Sequence, residues 1–464
     1  MSRTTLEDRA RTELDAQQRA DAAEVDRLAR LATFSGEPAN VEPPRESLGE
    51  KLRQLMTPWS AQELADARKP NPHVFQDFHT GLFPVGEVSV LAAAGREGKT
   101  TVIVGISTAL IIEHTLGDLT PIAGRSVVIY SCEDNRAQYA SKVEAQVSLL
   151  GSTQARNVME RLIVPNLDDL ESQAARAIVT VMAGQPVESE AVDAIIEALL
   201  PMLDADHPPG LVVFETVSTL SDAEEDNKGF RALIMALKRI ARALNVAVLL
   251  SHHVSQASLA SLSELNLSTA DIRGGTTLVN NARQALIVAN LGSDARPFPA
   301  SDARAVLRAM VAPDCLDRIT VLAPLDGSKG EEPPPVFFRW VKASSGHPAA
   351  VEIEAPPQLR RKTWMKVREM LVAERVSQRS EAKSSAQNAN VALVIRQVAK
   401  LEESGKQPTA RAVSIAAGKS ATWATGYLQA AVESGELTCA MEPVERTKGG
   451  AMVYRMAHST EMAA

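Results

Sequence analysis

From Gly86 onward the chain alternates short, unbroken apolar runs with longer amphipathic stretches. EVSVLAAA precedes KTTVIVGISTALIIEHTL, and RSVVIYSCED precedes NRAQYASKVEAQVSLLG; further on, GLVVFE precedes NKGFRALIMALKRIARALN, which leads into VAVLLSHH. A strand covered on both faces reads as a continuous apolar run, whereas a strand with one wet face alternates. Runs of the first kind separated by helices predict an α/β domain with a mostly parallel central sheet. Four later runs, ALIVANL, AVLRAMVA, RITVLAP and VFFRWVK, follow without long helices between them, so antiparallel strands are expected to finish the sheet.

The pattern is different at both ends. Residues 1 to about 75 are polar, and their helical stretch places Leu14, Ala22, Val25, Leu28 and Leu31 too sparsely for a core of its own. Residues 1–78 are therefore expected to form a helical arm, and 79–350 the α/β domain. The Pro-marked seam HPAAVEIEAPPQLRRK and the polar stretch SQRSEAKSSAQNAN read as a linker over 351–388. The last unit, 389–458, reads as helix, short helix, longer helix and a two-stranded tail, which is the winged-helix arrangement.

Composition narrows the classes. A chain of 464 residues has room for two to four domains, and 45% hydrophobic with 23% charged residues excludes a disordered one. With 49 basic against 57 acidic side chains the net charge is −8, which rules out a protein that coats nucleic acid by overall positive charge. That average hides a gradient: residues 357–464 hold 16 Lys and Arg against 10 Asp and Glu, a net of +6, so the first 356 carry −14. Cys132, Cys315 and Cys439 are odd in number and far apart, with no metal spacing, and no apolar run reaches the ~18 residues that span a bilayer. A cytoplasmic protein is expected, without signal peptide or membrane anchor.

The sharpest local signal is AAGREGKT, Ala93 to Thr100, placed after a strand and opening a helix. It fits a phosphate-binding loop with Ala in place of the first Gly. Backbone N–H groups of Ala94, Gly95, Arg96, Glu97, Gly98, Lys99, Thr100 and Thr101 can turn toward phosphate oxygens, and the helix start adds partial positive charge. Lys99 would reach the β- and γ-phosphates of ATP, and the Thr100 hydroxyl would ligate Mg²⁺. Glu133 and Asp134 close the next strand; Glu133 suits a base that polarises the attacking water, and Asp134 a helix cap. Glu215 ends GLVVFE where a metal-side carboxylate belongs, and His252 and His253 end VAVLLSHH at the same sheet edge.

In order and wording these segments resemble the RecA-fold ATPases of the plasmid RepA type, the hexameric replicative helicase group also called AAA_25. The resemblance rests on AAGREGKT, YSCED, LVVFETVSTLSDAEEDNKGFRALIMALKRIARALNVAVLLSHHVSQAS and DIRGGTTLVNNARQALIVA, over about residues 80 to 345. It implies a catalytic acid at Glu133, a sensor at His252 and His253, and at Arg283 an arginine finger that reaches the nucleotide of the adjacent subunit. Two departures stand out: Glu215 where the family has Asp, and Thr216 where it has Pro. The loop from Val254 to Arg273, where single-stranded DNA would be met, has Arg273 as its one basic residue.

In the last unit a recognition helix is expected to begin near Ser420, presenting Lys419, Thr422, Trp423 and Thr425 to duplex DNA, with Arg446 and Lys448 in the wing. The expected function is a homo-oligomeric, ring-forming ATPase that acts on DNA as a helicase or helicase-like motor in the replication of a plasmid, phage or mobile element. The alternative is a slow-turnover, nucleotide-gated DNA-binding regulator.

Overall fold

The computed structural model describes residues 72–167, 176–255, 258–268, 271–272, 275–325, 332–444 and 450–457. Nearly all of the expected N-terminal arm lies outside them, as do Arg273, Arg446 and Lys448.

The strands are, in chain order, β1 (His73–Gln76), β2 (Gly81–Pro84), β3 (Val88–Ala93), β4 (Thr120–Pro121), β5 (Ser126–Ser131), β6 (Leu162–Ile163), β7 (Val179–Met182), β8 (Gln185–Glu188), β9 (Pro209–Glu215), β10 (Ala247–His253), β11 (Gln284–Gly292), β12 (Ile319–Pro324), β13 (Val336–Lys342), β14 (Pro348–Ile353), β15 (Leu437–Glu442) and β16 (Ala451–Met456). The main helices are α1 (Lys99–Ile111), α2 (Arg136–Val147), α3 (Ser152–Arg161), α4 (Glu190–Leu199), α5 (Asn227–Leu244), α6 (Ala303–Val311), α7 (Trp364–Glu403), α8 (Ala410–Ala417) and α9 (Ala421–Glu433).

Nine strands form one sheet in the order β14-β13-β12-β11-β3-β10-β9-β5-β6. The six from β11 to β6 run parallel, and β12, β13 and β14 continue antiparallel from β11. The expected α/β domain with a mostly parallel central sheet is what the chain forms. Successive residues of β3 serve opposite faces: Val88, Val90 and Ala92 meet Leu233, Leu237 and Ile240 of α5, while Leu91 and Ala93 meet Ile103, Ile106 and Leu110 of α1. That two-sided burial is why the strands read as unbroken apolar runs.

Helix α1 is apolar on all sides because it is covered twice, by the sheet and by the β13–β14 hairpin curled over it. Gly105 makes the second contact possible, since a Cβ there would lie 2.9 Å from the Ala350 carbonyl oxygen. The Gln146 amide of α2 pairs with the same residue, donating to Ala350 O (3.0 Å) and accepting from Ala350 N (3.2 Å). This amide clamp satisfies backbone groups on an edge strand that would otherwise be open to another chain.

Two expectations are corrected. AVLRAMVA is helix α6 and not a strand: the Asp302 side chain accepts from Arg304 N (2.9 Å), and Ala303, Val306, Leu307 and Val311 are buried at helical spacing. Its short length disguised a 3.6-residue period as a continuous run. The remaining antiparallel strand is β14, drawn from the segment read as a seam. The second correction concerns the linker at 351–388, which is the end of β14 and then the first half of α7, a helix of 40 residues. No Gly or Pro interrupts Trp364–Glu403, and both ends are anchored, Trp364, Val367 and Leu371 in the main core and Val394 and Val398 in a second core. A helix nucleated and packed at both ends propagates through a polar middle.

The second core joins the end of α7 to α8, α9 and the β15–β16 hairpin through Val413, Ala424, Leu428, Ala431, Leu437 and Tyr454. Three helices followed by a hairpin is the element order expected from the sequence.

Candidate functional site

The loop between β3 and α1 carries the residues expected to bind phosphate. Its backbone reverses through two left-handed residues, Arg96 (φ 67°) and Gly98 (φ 92°), so that α1 starts at Lys99 with Gly98 as its cap residue. Because the parallel strands all run one way, their carboxyl ends share an edge with this loop. His252 and His253 of β10 stand level with Ala92 and Ala93 of β3, and Glu215 of β9 stands level with Ser131 of β5.

Glu215 is the centre of the arrangement. It is buried, accepts a hydrogen bond from Thr100 Oγ1 (2.9 Å), and lies 3.9 Å from Lys99 Nζ through the same oxygen. Its other oxygen accepts from the Tyr139 hydroxyl. Burial pushes the Glu215 carboxyl above the usual carboxylate range, opposed by Lys99 and by the Tyr139 and Thr100 hydroxyls. Burial likewise pulls the Lys99 ammonium below its usual value, opposed by the charges of Glu215, Glu133 and Asp134. Both groups are thus short of solvation, and Lys99 Nζ has no hydrogen-bond partner among the described residues. A phosphate at Lys99 and a divalent cation at Thr100 and Glu215 would supply what burial removes. One hydroxyl and one carboxylate, completed by phosphate oxygens, is a donor set that suits Mg²⁺.

Glu133 is exposed at the mouth of a cavity of about 230 Å³, lined also by Ser131, Cys132, Asn135, Arg136 and Arg176. The cap of α2 is Asn135, not Asp134: Asn135 Oδ1 accepts from Gln138 N (2.9 Å) and Gln138 Oε1 accepts from Asn135 N (2.8 Å). Asp134 is paired with Lys142 instead, because its side chain lies one residue too early to reach the first free N–H groups of the helix. His252 is buried with its ring edge-on to Phe230 (5.9 Å), and His253 is half-buried.

Arg283 is elsewhere. It precedes β11 and its N–H donates to Val88 O (2.8 Å), which puts it at the amino edge of the sheet, away from the phosphate loop of its own chain. Glu97 also faces away from the phosphate side, accepting from Asn290 N of β11 (2.5 Å). In the C-terminal unit Ser420 caps α9, accepting from Trp423 N (3.2 Å). Lys419, Thr422 and Thr425 are exposed, whereas Trp423 packs partly against the second core beside Tyr427 (5.2 Å).

Sequence reasoning did not find Tyr139, which orients the carboxylate, or the residues that grip the loop from the β11–β13 side of the sheet, Asn290, Arg318 and Trp340. A Tyr in the first turn of α2 and a Trp in β13 carry no local signal, since each meets the site through strand order alone.

Among the described residues no group of three or more His, Cys, Asp or Glu side chains could hold a metal by itself, and no helix is long and apolar enough to cross a membrane. The three cysteines are free thiols.

A family model described as an AAA domain, AAA_25, matches residues 51–258. No curated protein is matched in sequence. Similar solved structures include a DnaB-like replicative helicase described with its interactions with primase, at 13% identity and a TM-score of 0.42, over 75% of this chain and 80% of that one. Another is described as an ATPase domain, at 13% identity and a TM-score of 0.39, over 66% of this chain and 99% of that one.

Proposed function

We propose that this chain is a RecA-like P-loop ATPase, and that it works as a ring-forming, helicase-like motor on DNA. The observation that carries the ATPase reading is the convergence of Lys99 and Thr100 on the buried Glu215, 2.9 Å from the Thr100 hydroxyl and 3.9 Å from Lys99 Nζ. A lysine and a hydroxyl at a helix start, facing a buried carboxylate from a distant strand, form the arrangement that binds a nucleoside triphosphate with its cation. The AAA_25 match over residues 51–258 spans the loop, Glu133, Glu215 and both histidines.

In this reading, backbone N–H groups of residues 94 to 101 cradle the phosphates and Lys99 bonds the β- and γ-oxygens. Mg²⁺, when bound, neutralises developing charge on the phosphates. Thr100 and Glu215 hold it, and Tyr139 fixes the rotamer of Glu215. Glu133, exposed at the cavity mouth, takes the proton of the attacking water. His253, at the end of the strand between β3 and β9, senses the γ-phosphate and passes the change to the segment beyond Val254. Arg283, too far from its own loop, serves the nucleotide of a neighbouring subunit, which makes turnover depend on assembly. The C-terminal unit is a winged helix that meets duplex DNA through Thr422 and Thr425 of α9 and Lys419 just ahead of its cap. The setting would be cytoplasmic replication of a plasmid, phage or mobile element by a hexamer.

A second reading, a slow-turnover nucleotide-gated DNA-binding regulator, is favoured by one observation. In the described part of the segment after β10, Ser255 N donates to Asp271 O (3.0 Å) and the Asp271 carboxylate accepts from Ser268 N (2.7 Å), and the sequence from Val254 to Arg273 holds one basic residue to offer a DNA strand. Single-turnover ATP hydrolysis with and without single-stranded DNA, followed by a strand-separation assay, decides between them. The motor reading expects DNA to accelerate hydrolysis at least several-fold; no acceleration together with no strand separation leaves the regulator.

A further inference from the structure

We infer that Trp340, backed by Arg318, seats the base of the bound nucleotide, and that this seat accepts purine nucleoside triphosphates by stacking without reading the edges of the base. The inference rests on the phosphate-site reading above and extends it to the nucleoside end of the ligand.

The groups that would meet the γ-phosphate, Glu133, Glu215 and His253, stand at or just beyond the carboxyl ends of β5, β9 and β10, on one side of β3. A nucleotide held in the loop by its phosphates must therefore lead its nucleoside to the other side, toward β11, β12 and β13. On that side three successive strands grip three successive loop residues. Arg318, just ahead of β12, donates from Nη2 to the Arg96 carbonyl (2.9 Å). Asn290 N of β11 donates to the Glu97 carboxylate (2.5 Å). Trp340 of β13 lies against Gly98 so closely that a Cβ there would sit 1.8 Å from its Cζ2.

Trp340 is not spent on the core. Val336, Phe337 and Phe338 of the same strand are buried, while Trp340 is only partly buried, with the Arg318 guanidinium stacked 3.9 Å from its ring centroid. An indole stiffened by a guanidinium on one face is a ready platform for a second flat ring, which gains from both stacking and the adjacent charge. Among the polar groups nearby, Glu97 is already committed to Asn290 and Arg318 Nη2 to Arg96, while Trp340 Nε1 and Arg318 Nε, which have no hydrogen-bond partner among the described residues, are shut off from solvent. Little is left to hydrogen-bond a base edge, so stacking area decides, and the larger purines are favoured over pyrimidines without discrimination between adenine and guanine.

The test uses the full chain and two probes, ATP and inorganic tripolyphosphate, each with Mg²⁺. Trp340→Ala is expected to weaken ATP roughly tenfold while leaving tripolyphosphate within about twofold. Trp340→Phe is expected to keep most of the ATP affinity and to abolish the quench of tryptophan fluorescence that ATP produces. In the unaltered chain ATP and GTP should bind within a few-fold of each other and more tightly than CTP. Equal loss of both probes in Trp340→Ala would show that the ring only braces the loop, and no loss of either would show that it is idle; each outcome overturns the inference, as does strong rejection of GTP. Lys99→Ala separates the underlying reading, since it must weaken both probes, and a chain that still bound both would refute the phosphate site regardless of Trp340.

Discussion

At the scale of single residues, the site is governed by what burial does to charge. Glu215 and Lys99 are each pushed toward neutrality by desolvation, and at 3.9 Å they attract without hydrogen-bonding, which leaves the ammonium's donors to a ligand. The longer Glu at a position where the family resemblance has Asp is accommodated because Tyr139 and Thr100 take up both carboxylate oxygens. Glu133 is placed quite differently, exposed and free to meet water. These environments separate two roles and predict a divided outcome for substitution. Lys99→Ala should abolish measurable ATP binding, while Glu133→Gln should leave the dissociation constant within about threefold and lower kcat by about 10²-fold or more. Equilibrium binding and single-turnover rates on the same two variants check it; loss of binding in Glu133→Gln would move that residue from chemistry to nucleotide recognition.

At the scale of elements, caps and close packing aim the side chains. The reciprocal Asn135–Gln138 box fixes where α2 begins, and with it both Glu133, two residues before the cap, and Tyr139, one turn after it. Asn135→Ala is accordingly expected to cost about 1 kcal/mol of stability and to lower kcat more than it raises KM, because the water-activating group loses its aim while the phosphate loop is untouched. Chemical denaturation and steady-state kinetics measure the two effects; an unchanged kcat would mean that the strand end alone positions Glu133. The β13–β14 hairpin is the other positioning element. Folded over α1 and clamped by Gln146, it brings Trp340 to Gly98, a contact that only a glycine at that place tolerates.

At the scale of the whole molecule, the net charge of −8 divides into an acidic body and a basic C-terminal part, and α7 links them. At 1.5 Å per residue a helix of 40 residues spans about 60 Å. Its first turns belong to the main core through Trp364, Val367 and Leu371, so a cut early in the expected linker would unsettle the α/β body. Ending the chain after Asn388 avoids this. That truncation is expected to keep ATP binding and to lose most of the affinity for duplex DNA, along with most of its salt dependence. Duplex binding measured over a salt series is the check, and unchanged affinity would remove the C-terminal unit from DNA recognition.

The sequence by itself determined the parts. Apolar runs told which segments are buried on both faces, the wording of Ala93–Thr100 told which loop opens a helix at a strand end, and the acids and histidines at strand ends told which groups share an edge. Each of these signals is local, carried by a few residues and by a rule that holds for any parallel sheet. Where the signal was short or polar it misled: AVLRAMVA is a helix, and the stretch read as a linker is helical because packing at its two ends carries the middle along. Only the tertiary structure decided which parts meet. Glu215 reaches Thr100 across 115 residues because β9 lies one strand beyond the neighbour of β3, Arg283 falls at the opposite edge because β11 runs parallel to β3, and Trp340 reaches Gly98 because the hairpin curls back over α1. Periodicity reports the face a residue turns, but strand order is settled by long-range pairing and crossover, and no local pattern encodes it.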